Sequence, residues 1–558
     1  MEQKRETWAT TLGAVLAVAG SAVGLGNFLR FPTQAAQNGG GAFLIPYFIS
    51  FLLLGLPLIW VEWTIGRLGG GFGHGTAPGI FHTIWRKNRF IKYFGVIGIF
   101  GPTVVFLYYI YAESWLLGYT FFAASGKLFQ APDAMAMKAF LDVYRGLARD
   151  PAAPAHLWLT PDICVPAFAL AYFFFLATFS LNIAVVYYGI RGGIERVCKI
   201  AMPALVLMGI ALAARILTLG KPESPTGETW HVIDGLGFLW NPDFTMKEID
   251  PTTGAITVKN RLLDAKIWLA AAGQVFFTLS VGFGVILTYA SYLRRRQDVV
   301  LSGLTSATAN EFVEVILGGT IVIPAAFAFF GPQKIAEIAQ SGTFDLSLVT
   351  MPLIFEKLPG GQFFSVLWFA LLFLAGITSS ISLAQPAIAF LEDEFDLTKK
   401  EAVQIFGVIT FILCQPVIFL IGQGAMDEMD FWGVNVCLVF FAGAEVVLFA
   451  WVFGINRAWD EMHDGADLSI PGVYRFIIKY VTPLCLLAIF VYWLYQEGWS
   501  KLLMKDVSET NYGCVLYTRV MLVAFFAILA LLVRQRWRRR EAAIAEGDQA
   551  SSDKEMVP

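Results

Sequence analysis

About twelve long apolar runs decide what this chain can become. They centre near residues 10–37, 42–68, 92–123, 163–183, 192–216, 266–292, 300–329, 362–391, 400–422, 430–455, 473–496 and 512–534. A helix needs roughly 20 mostly apolar residues to cross a bilayer. In hydrocarbon the backbone N–H and C=O groups must be satisfied by the segment itself, and a helix does that. The expected fold class is therefore an all-α polytopic membrane protein with about twelve transmembrane helices. Composition agrees: of 558 residues 57% are hydrophobic and 15% charged, too few polar residues to clothe a soluble globule.

Charge in the connecting loops sets the orientation. Basic residues gather at Lys4 and Arg5, in RKNRFIK (86–92), from Arg191 to Lys199, in RRR (294–296), at Lys399, Lys400 and Arg457, and in RQRWRRR (534–540). The positive-inside rule puts all of these, and both termini, in the cytoplasm of a cell inner (plasma) membrane. The loops at 124–160 and 217–262 then face outward. Glu541 to Pro558 reads as a disordered tail, and MEQKRETWAT as a start without a cleavable signal. A net charge of −3 gives no reason to expect nucleic acid as a partner; the bilayer is the partner implied. Cys164, Cys198, Cys414, Cys437, Cys485 and Cys514 stand singly, which suits buried packing rather than a zinc site or disulfides.

Two runs are interrupted at their middles. SAVGLGNFLR (21–30) breaks the first, and SVGFG (280–284) echoes its AVGLG (22–26) in the sixth. Breaking a helix in hydrocarbon strands backbone groups, which is tolerable only where something polar takes them up. Freed carbonyls can hold a sodium ion, and the N-terminus of the resumed helix can hold a carboxylate. One break alone reads equally as close helix packing. Two matched breaks with polar neighbours read as an inverted-repeat transporter with its site at the midplane.

Ionisable side chains within a span cost about 2.5–3.5 kcal/mol each on insertion scales. Arg30 lies a turn beyond the first break, and Asp430 opens the tenth run; they read as an outer closure over a ligand, or as residues reaching the interface. Asn310 and Glu314, four apart, share a helical face and suit either a cation site or an interhelical hydrogen bond. Thr378 and Ser379 offer hydroxyls that often bond back to their own helix. Glu62, Glu113 and Glu445 read as structural pairings. The chain has no nucleophile–base pair, phosphate loop or metal cluster, and no strand precedes GLGNF, so an enzyme is not expected.

The stretches WATTLGAVLAVAGSAVGLGNFLRFP, GQVFFTLSVGFG, SGLTSATANEFVEVILGG, LAGITSSISLAQP and MDEMDFWG resemble the neurotransmitter:sodium symporter family, closest to its bacterial leucine-transporting branch. That resemblance implies a five-plus-five inverted repeat, with residues 1–216 as the first repeat, 217–458 as the second, and 459–540 as two peripheral helices. It implies sodium-coupled uptake of a neutral, aliphatic L-amino acid by alternating access, with two sodium ions. Small or aromatic substrates, or a non-transporting sodium and amino-acid sensor, are the alternatives, and a homodimer is an assembly open to it.

By the same resemblance one sodium ion takes the Ala22 carbonyl, Asn27, Thr278, Asn310 and the substrate carboxylate. The other takes the carbonyls of Gly20, Val23 and Ala375 and the hydroxyls of Thr378 and Ser379. Such all-oxygen sets suit a hard cation. The substrate carboxylate meets the amides of Leu25 and Gly26 and the Tyr109 hydroxyl. Its ammonium faces Ala22, Phe277, Thr278 and Ser280, and its side chain meets Val105, Tyr109, Phe277, Ser280, Phe283, Ser379 and Leu383. Phe277 and Tyr109 lid the pocket beneath an Arg30–Asp430 pair, and Arg5 with Asp393 closes the inside, near Trp8, Ser291 and Tyr292. Gly24 leaves room for a carboxylate brought by the ligand, where monoamine carriers have an aspartate. Glu314 takes the place of chloride, which implies chloride independence and a route to proton counter-transport. Ser21 stands where that branch has asparagine, and Leu383 where it has isoleucine.

Overall fold

The computed structural model describes residues 6–147, 165–222, 229–249, 256–341 and 344–555. Arg5, Lys4 and Cys164, singled out above, lie outside them. Among the described residues ten helices are long and apolar enough to cross a membrane: Gly41–Gly71, Ile91–Ala124, Phe168–Tyr187, Ile190–Leu217, Val300–Pro332, Gly361–Phe395, Lys399–Phe419, Ala425–His463, Val473–Gln496 and Glu509–Arg539. An eleventh span is the bent pair Thr11–Ala22 and Gly26–Gln37, whose halves meet at 45°. At the sixth predicted run stand two helices, Ala265–Leu279 and Val285–Ala290, neither of which is long enough to cross alone. The two stretches that fail the test of a continuous span are thus the two with glycine interruptions. The third and eighth spans pack against each other more extensively than any other pair of elements.

The loops after the third and fifth spans carry structure of their own. Asp133 caps a helix over Ala134–Arg145, accepting the Ala136 N–H at 2.8 Å. Met137, Leu141 and Tyr144 fall on one face of that helix and are buried. Further along come Val232–Trp240 and an antiparallel hairpin of Thr245–Ile249 with Ile256–Asn260. At the other end, the last helix runs from Glu509 to Glu555. EAAIAE, in the stretch read above as a tail from residue 541, is built of strong helix formers.

Each break has a partner for its stranded backbone. After Ala22 the chain leaves helical geometry at Val23 (φ −72°, ψ 90°) and resumes in a π-helical turn over Gly26–Arg30. The Gly24 N–H is taken by Asn27 Oδ1 at 2.9 Å and the Leu25 N–H by the Tyr109 hydroxyl at 3.2 Å. In the sixth span Ser280 (φ 54°), Gly282 (φ 78°) and Gly284 (φ 73°) are left-handed. A Cβ at Gly284 would also lie 2.8 Å from the Gly98 carbonyl oxygen, so glycine is required there twice over. The Gly282 N–H donates to the buried Glu62 carboxylate of the second span, which gives Glu62 a definite structural role. Replacing Glu62 by Ala strands that amide at a cost of about 1–3 kcal/mol. The detergent-solubilised protein is therefore expected to melt several degrees lower, with Glu62→Gln, which keeps an acceptor, losing less. Equal melting of all three proteins would refute the assignment.

Candidate functional site

In an unbroken helix the Gly24 and Leu25 amides would bond to the carbonyls of Gly20 and Ser21, four residues back. Because Asn27 and Tyr109 take those amides, both carbonyls turn to side chains of other spans. Ser379 Oγ lies 3.4 Å from the Gly20 oxygen and 3.0 Å from the Ser21 oxygen, and Ser280 Oγ donates to the Ser21 oxygen at 3.1 Å. The first span is in this way joined to the sixth and the eighth at one level.

A cavity of about 30 Å³ lies there, lined by Ala22, Leu25, Gly26, Val105, Tyr109, Phe277, Thr278, Ser280, Phe283, Ser379 and Leu383, together with Ser21, Gly24 and Ser382. Every residue assigned to substrate from the sequence is in that wall. The space is enough for water and little else. The glycines are closely packed: a Cβ on Gly24 would lie 2.6 Å from Ser379 Oγ and 3.0 Å from the Tyr109 hydroxyl, and one on Gly26 would lie 2.7 Å from the Phe277 ring.

Beside the cavity the polar residues of three spans converge on Glu314, which is fully buried in a π-helical turn over Phe312–Gly318. Its carboxylate accepts from Gln274 Nε2 (2.7 Å), Asn310 Nδ2 (3.3 Å), Asn27 Nδ2 (3.5 Å) and the Thr278 hydroxyl. Asn27 Nδ2 also donates to Asn310 Oδ1 at 2.8 Å, and Asn310 Nδ2 to Thr278 Oγ1 at 3.0 Å. Asn27, Thr278 and Asn310, three members of the first predicted sodium set, are mutual neighbours. The donors around Glu314 are all neutral, and among the described residues no cationic side chain lies within ion-pair distance of it.

Of the second predicted set, the structure brings Gly20 against Thr378 and Ser379. Thr378 Oγ1 lies 3.1 Å from the Ala375 oxygen, and the Gly20 Cα faces Thr378 so closely that an added Cβ would stand 3.2 Å from the Thr378 Cβ. Val23, fully buried, ends the inner half-helix with its N–H on the Ala19 oxygen at 2.7 Å. Oxygen donors without nitrogen or sulfur suit a hard monovalent ion in both places.

Above the small cavity lies a larger one of about 390 Å³, and Leu25, Gly26, Tyr109 and Phe277 belong to both walls. Tyr109 and Phe277 therefore stand between the two cavities. The pair above them differs from expectation. Arg30 and Asp430 both line the larger cavity without an ion pair between them. The Arg30 guanidinium sits 4.6 Å over the Phe277 ring, and Asp430 accepts the Tyr108 hydroxyl at 2.7 Å. Each thus has an aromatic neighbour of its own. On the inner side Trp8 is buried, with its indole N–H on the Tyr289 oxygen at 2.9 Å and its amide on the Tyr292 oxygen at 3.4 Å. Tyr292 accepts from Gln385 at 3.0 Å. Arg5, the proposed partner of Asp393, lies outside the described residues.

Four residues of the site were missed. Gln274 precedes Thr278 by four, a helical spacing that puts both on the Glu314 side. Ser382 follows Ser379 by three and bonds to the Ser21 hydroxyl at 2.7 Å. Tyr108 is the neighbour of Tyr109 that turns outward to Asp430. Glu195 of the fifth span accepts from the Ala9 amide (2.9 Å) and the Thr10 hydroxyl (3.0 Å), pinning the start of the first span. Glu113, left as a structural pairing, accepts from Asn182 Nδ2 at 3.3 Å.

Comparison with known proteins places this geometry. An uncharacterized sodium-dependent transporter of Methanocaldococcus jannaschii is 27% identical over 95% of this chain and 96% of its own. The sodium-dependent serotonin transporter of Drosophila melanogaster is 24% identical over 89% of this chain and 80% of its own. The crystal structure of MhsT in complex with L-phenylalanine superposes with a TM-score of 0.70 at 28% identity, covering 88% of this chain and 99% of that one. The model of the Sodium:neurotransmitter symporter family matches residues 5–132 and 254–538, well over half of the sequence. The chain belongs to that family, and is a sodium-dependent, multi-pass membrane transporter rather than an enzyme.

Proposed function

We propose that the protein takes up a neutral, aliphatic L-amino acid together with two sodium ions, without a need for chloride. The observation that carries this reading is the buried Glu314 carboxylate, held by Gln274, Thr278, Asn310 and Asn27 beside the break in the first span. It supplies a fixed negative charge where a cation would sit among Asn27, Thr278 and Asn310, so a diffusible anion is not required. The substrate's carboxylate completes that sodium site through the Leu25 and Gly26 amides at the positive end of the resumed helix. Sodium and amino acid are thereby coupled through a shared bond. Gly24 supports the substrate class, because a side chain there would strike Ser379 and Tyr109.

In the proposed cycle the second sodium ion ties Gly20 and Val23 of the first span to Ala375, Thr378 and Ser379 of the eighth. Tyr109 and Phe277 close over the substrate, Arg30 and Asp430 come together above them, and Arg5 parts from Asp393 to release the cargo. The repeat assignment, with residues 1–216 and 217–458 as inverted halves, cytoplasmic termini and an inner-membrane location belong to the same reading. An aromatic substrate is the second reading: MhsT is solved with L-phenylalanine, and Phe283 and Leu383 wall the corresponding cavity here.

Proteoliposomes are expected to accumulate labelled leucine only under an inward sodium gradient, with aliphatic amino acids the strongest competitors. Stronger competition by phenylalanine would transfer the assignment to the aromatic class. Sodium-dependent binding without accumulation would make the protein a sensor. Replacing chloride with gluconate is expected to leave uptake unchanged, whereas Glu314→Ser is expected to lower it at least about tenfold and to make the remainder rise with chloride. A severalfold loss of parent uptake in gluconate would remove the role given to Glu314. Gly24→Ala is expected to weaken leucine binding at least about tenfold; unchanged affinity would displace the substrate from this cavity.

A further inference from the structure

Near its C-terminal end the last span, Glu509–Arg539, divides its arginines between two faces. On the protein side Val533 and Trp537, four apart, are buried, and Arg536 pairs with Asp396 Oδ2 at 3.0 Å and Glu394 Oε2 at 3.8 Å. On the opposite side Arg534, Arg538 and Arg539 are exposed and take part in no ion pair among the described residues. With Leu531 and Gln535 they line an open hollow of about 520 Å³. The same helix face carries the exposed Val520, Val523, Ile528 and Leu531, so a lipid-facing stripe runs directly into a group of cations. A second group lies beside it. The chain touches Trp537 at His82, whose ring is edge-on at 5.7 Å, and again at Lys92, 5.3 Å over the indole. Between these contacts Arg86, Lys87 and Arg89 are exposed and likewise form no ion pair among the described residues. Phe90 and Phe94 follow, one turn apart and both exposed, while Ile91, Lys92 and Gly95 are buried.

We propose that this surface is a binding site for an anionic phospholipid, with the phosphate held by Arg534 and Arg538 and the acyl chains laid along Leu531, Ile528 and Val523. Guanidinium forks match phosphate oxygens, and the cations of the neighbouring loop add to the attraction for a negative headgroup. The apolar part of the span ends at Val533 and the cations begin at Arg534, so the hollow stands at the boundary of the hydrocarbon, where a lipid phosphate lies. A free anion would use the arginines alone and leave the stripe above them without a part. Phe90 and Phe94 give the loop an apolar footing at the same boundary. Arg536 is already neutralised by carboxylates and stays outside the site. The site is independent of which substrate the transporter carries.

The test uses the full-length protein, stripped of lipid in detergent and titrated with phosphatidylglycerol, phosphatidylcholine or glycerol 1-phosphate. Bound molecules are counted by native mass spectrometry, and melting is followed in parallel. The parent is expected to retain one phosphatidylglycerol at concentrations where phosphatidylcholine is not retained, and to melt several degrees higher with it. Each cation near the surface is worth about a fivefold change in affinity. Arg534→Gln with Arg538→Gln is therefore expected to weaken phosphatidylglycerol binding at least about tenfold and to abolish the rise in melting, with lipid-free melting unchanged. The corresponding Lys pair is expected to keep most of both effects. Leu531→Gln, which spoils only the stripe, is expected to weaken binding severalfold, and Arg294→Gln with Arg295→Gln, exposed arginines elsewhere, to leave it at the parent value. Unchanged binding in the Arg534 and Arg538 pair or in Leu531→Gln would overturn the proposal. Equal loss in the Arg294 and Arg295 pair, equal retention of phosphatidylcholine, or displacement of the lipid by glycerol 1-phosphate would do the same. If the lipid-free parent is a dimer that the Arg534 and Arg538 Gln pair splits, a second copy covers the face and the lipid site falls.

Discussion

Backbone polar groups inside a membrane have no water to turn to, and the rest of this structure follows from how two broken helices meet that constraint. At the first break the displaced amides go to Asn27 and Tyr109, and the carbonyls they leave behind go to Ser379 and Ser280. At the second the Gly282 amide goes to Glu62. Apart from Asn27, each of these partners stands on another span, so the bonds that repair the helices also fix which spans converge. The site and the fold are specified by the same small set of hydrogen bonds.

Burial makes those bonds consequential. Where water competes, a misplaced amide costs little; where it does not, each unpaired group costs about 1–3 kcal/mol and a charged one more. Glu314 sits at the extreme of this scale, fully buried, with neutral donors on both carboxylate oxygens. Four hydrogen bonds hold the charge in position without cancelling it. A polar cage around an uncompensated carboxylate is a poor way to stabilise a protein and a good way to attract a cation.

The spans and both breaks were legible in the sequence because they rest on run length and on glycine, which report local backbone requirements directly. Asn310 and Glu314 were legible as a pair because helical spacing puts them on one face. Gln274 and Ser382 obey the same spacing rules but carry ordinary side chains, so their membership of the site emerges only when three spans meet. Arg30 and Asp430 illustrate the opposite difficulty. Their charges suggested a direct pair, yet Arg30 lies over Phe277 and Asp430 accepts from Tyr108. Competition among neighbours from distant parts of the chain cannot be read from spacing. The hairpin was missed for a simpler reason: the long loop between the fifth and sixth spans was read only as a connection.

The central cavity, at about 30 Å³, has almost no resting volume. On the proposed reading, an amino acid cannot select it by matching a shape already present. It must instead push apart walls that hydrogen-bond one another, such as the Leu25 amide and Tyr109 hydroxyl, and return more than it displaces. Discrimination in such a site is decided by the work of opening, and a ligand one methylene too large is refused by the neighbouring helices as much as by the pocket itself.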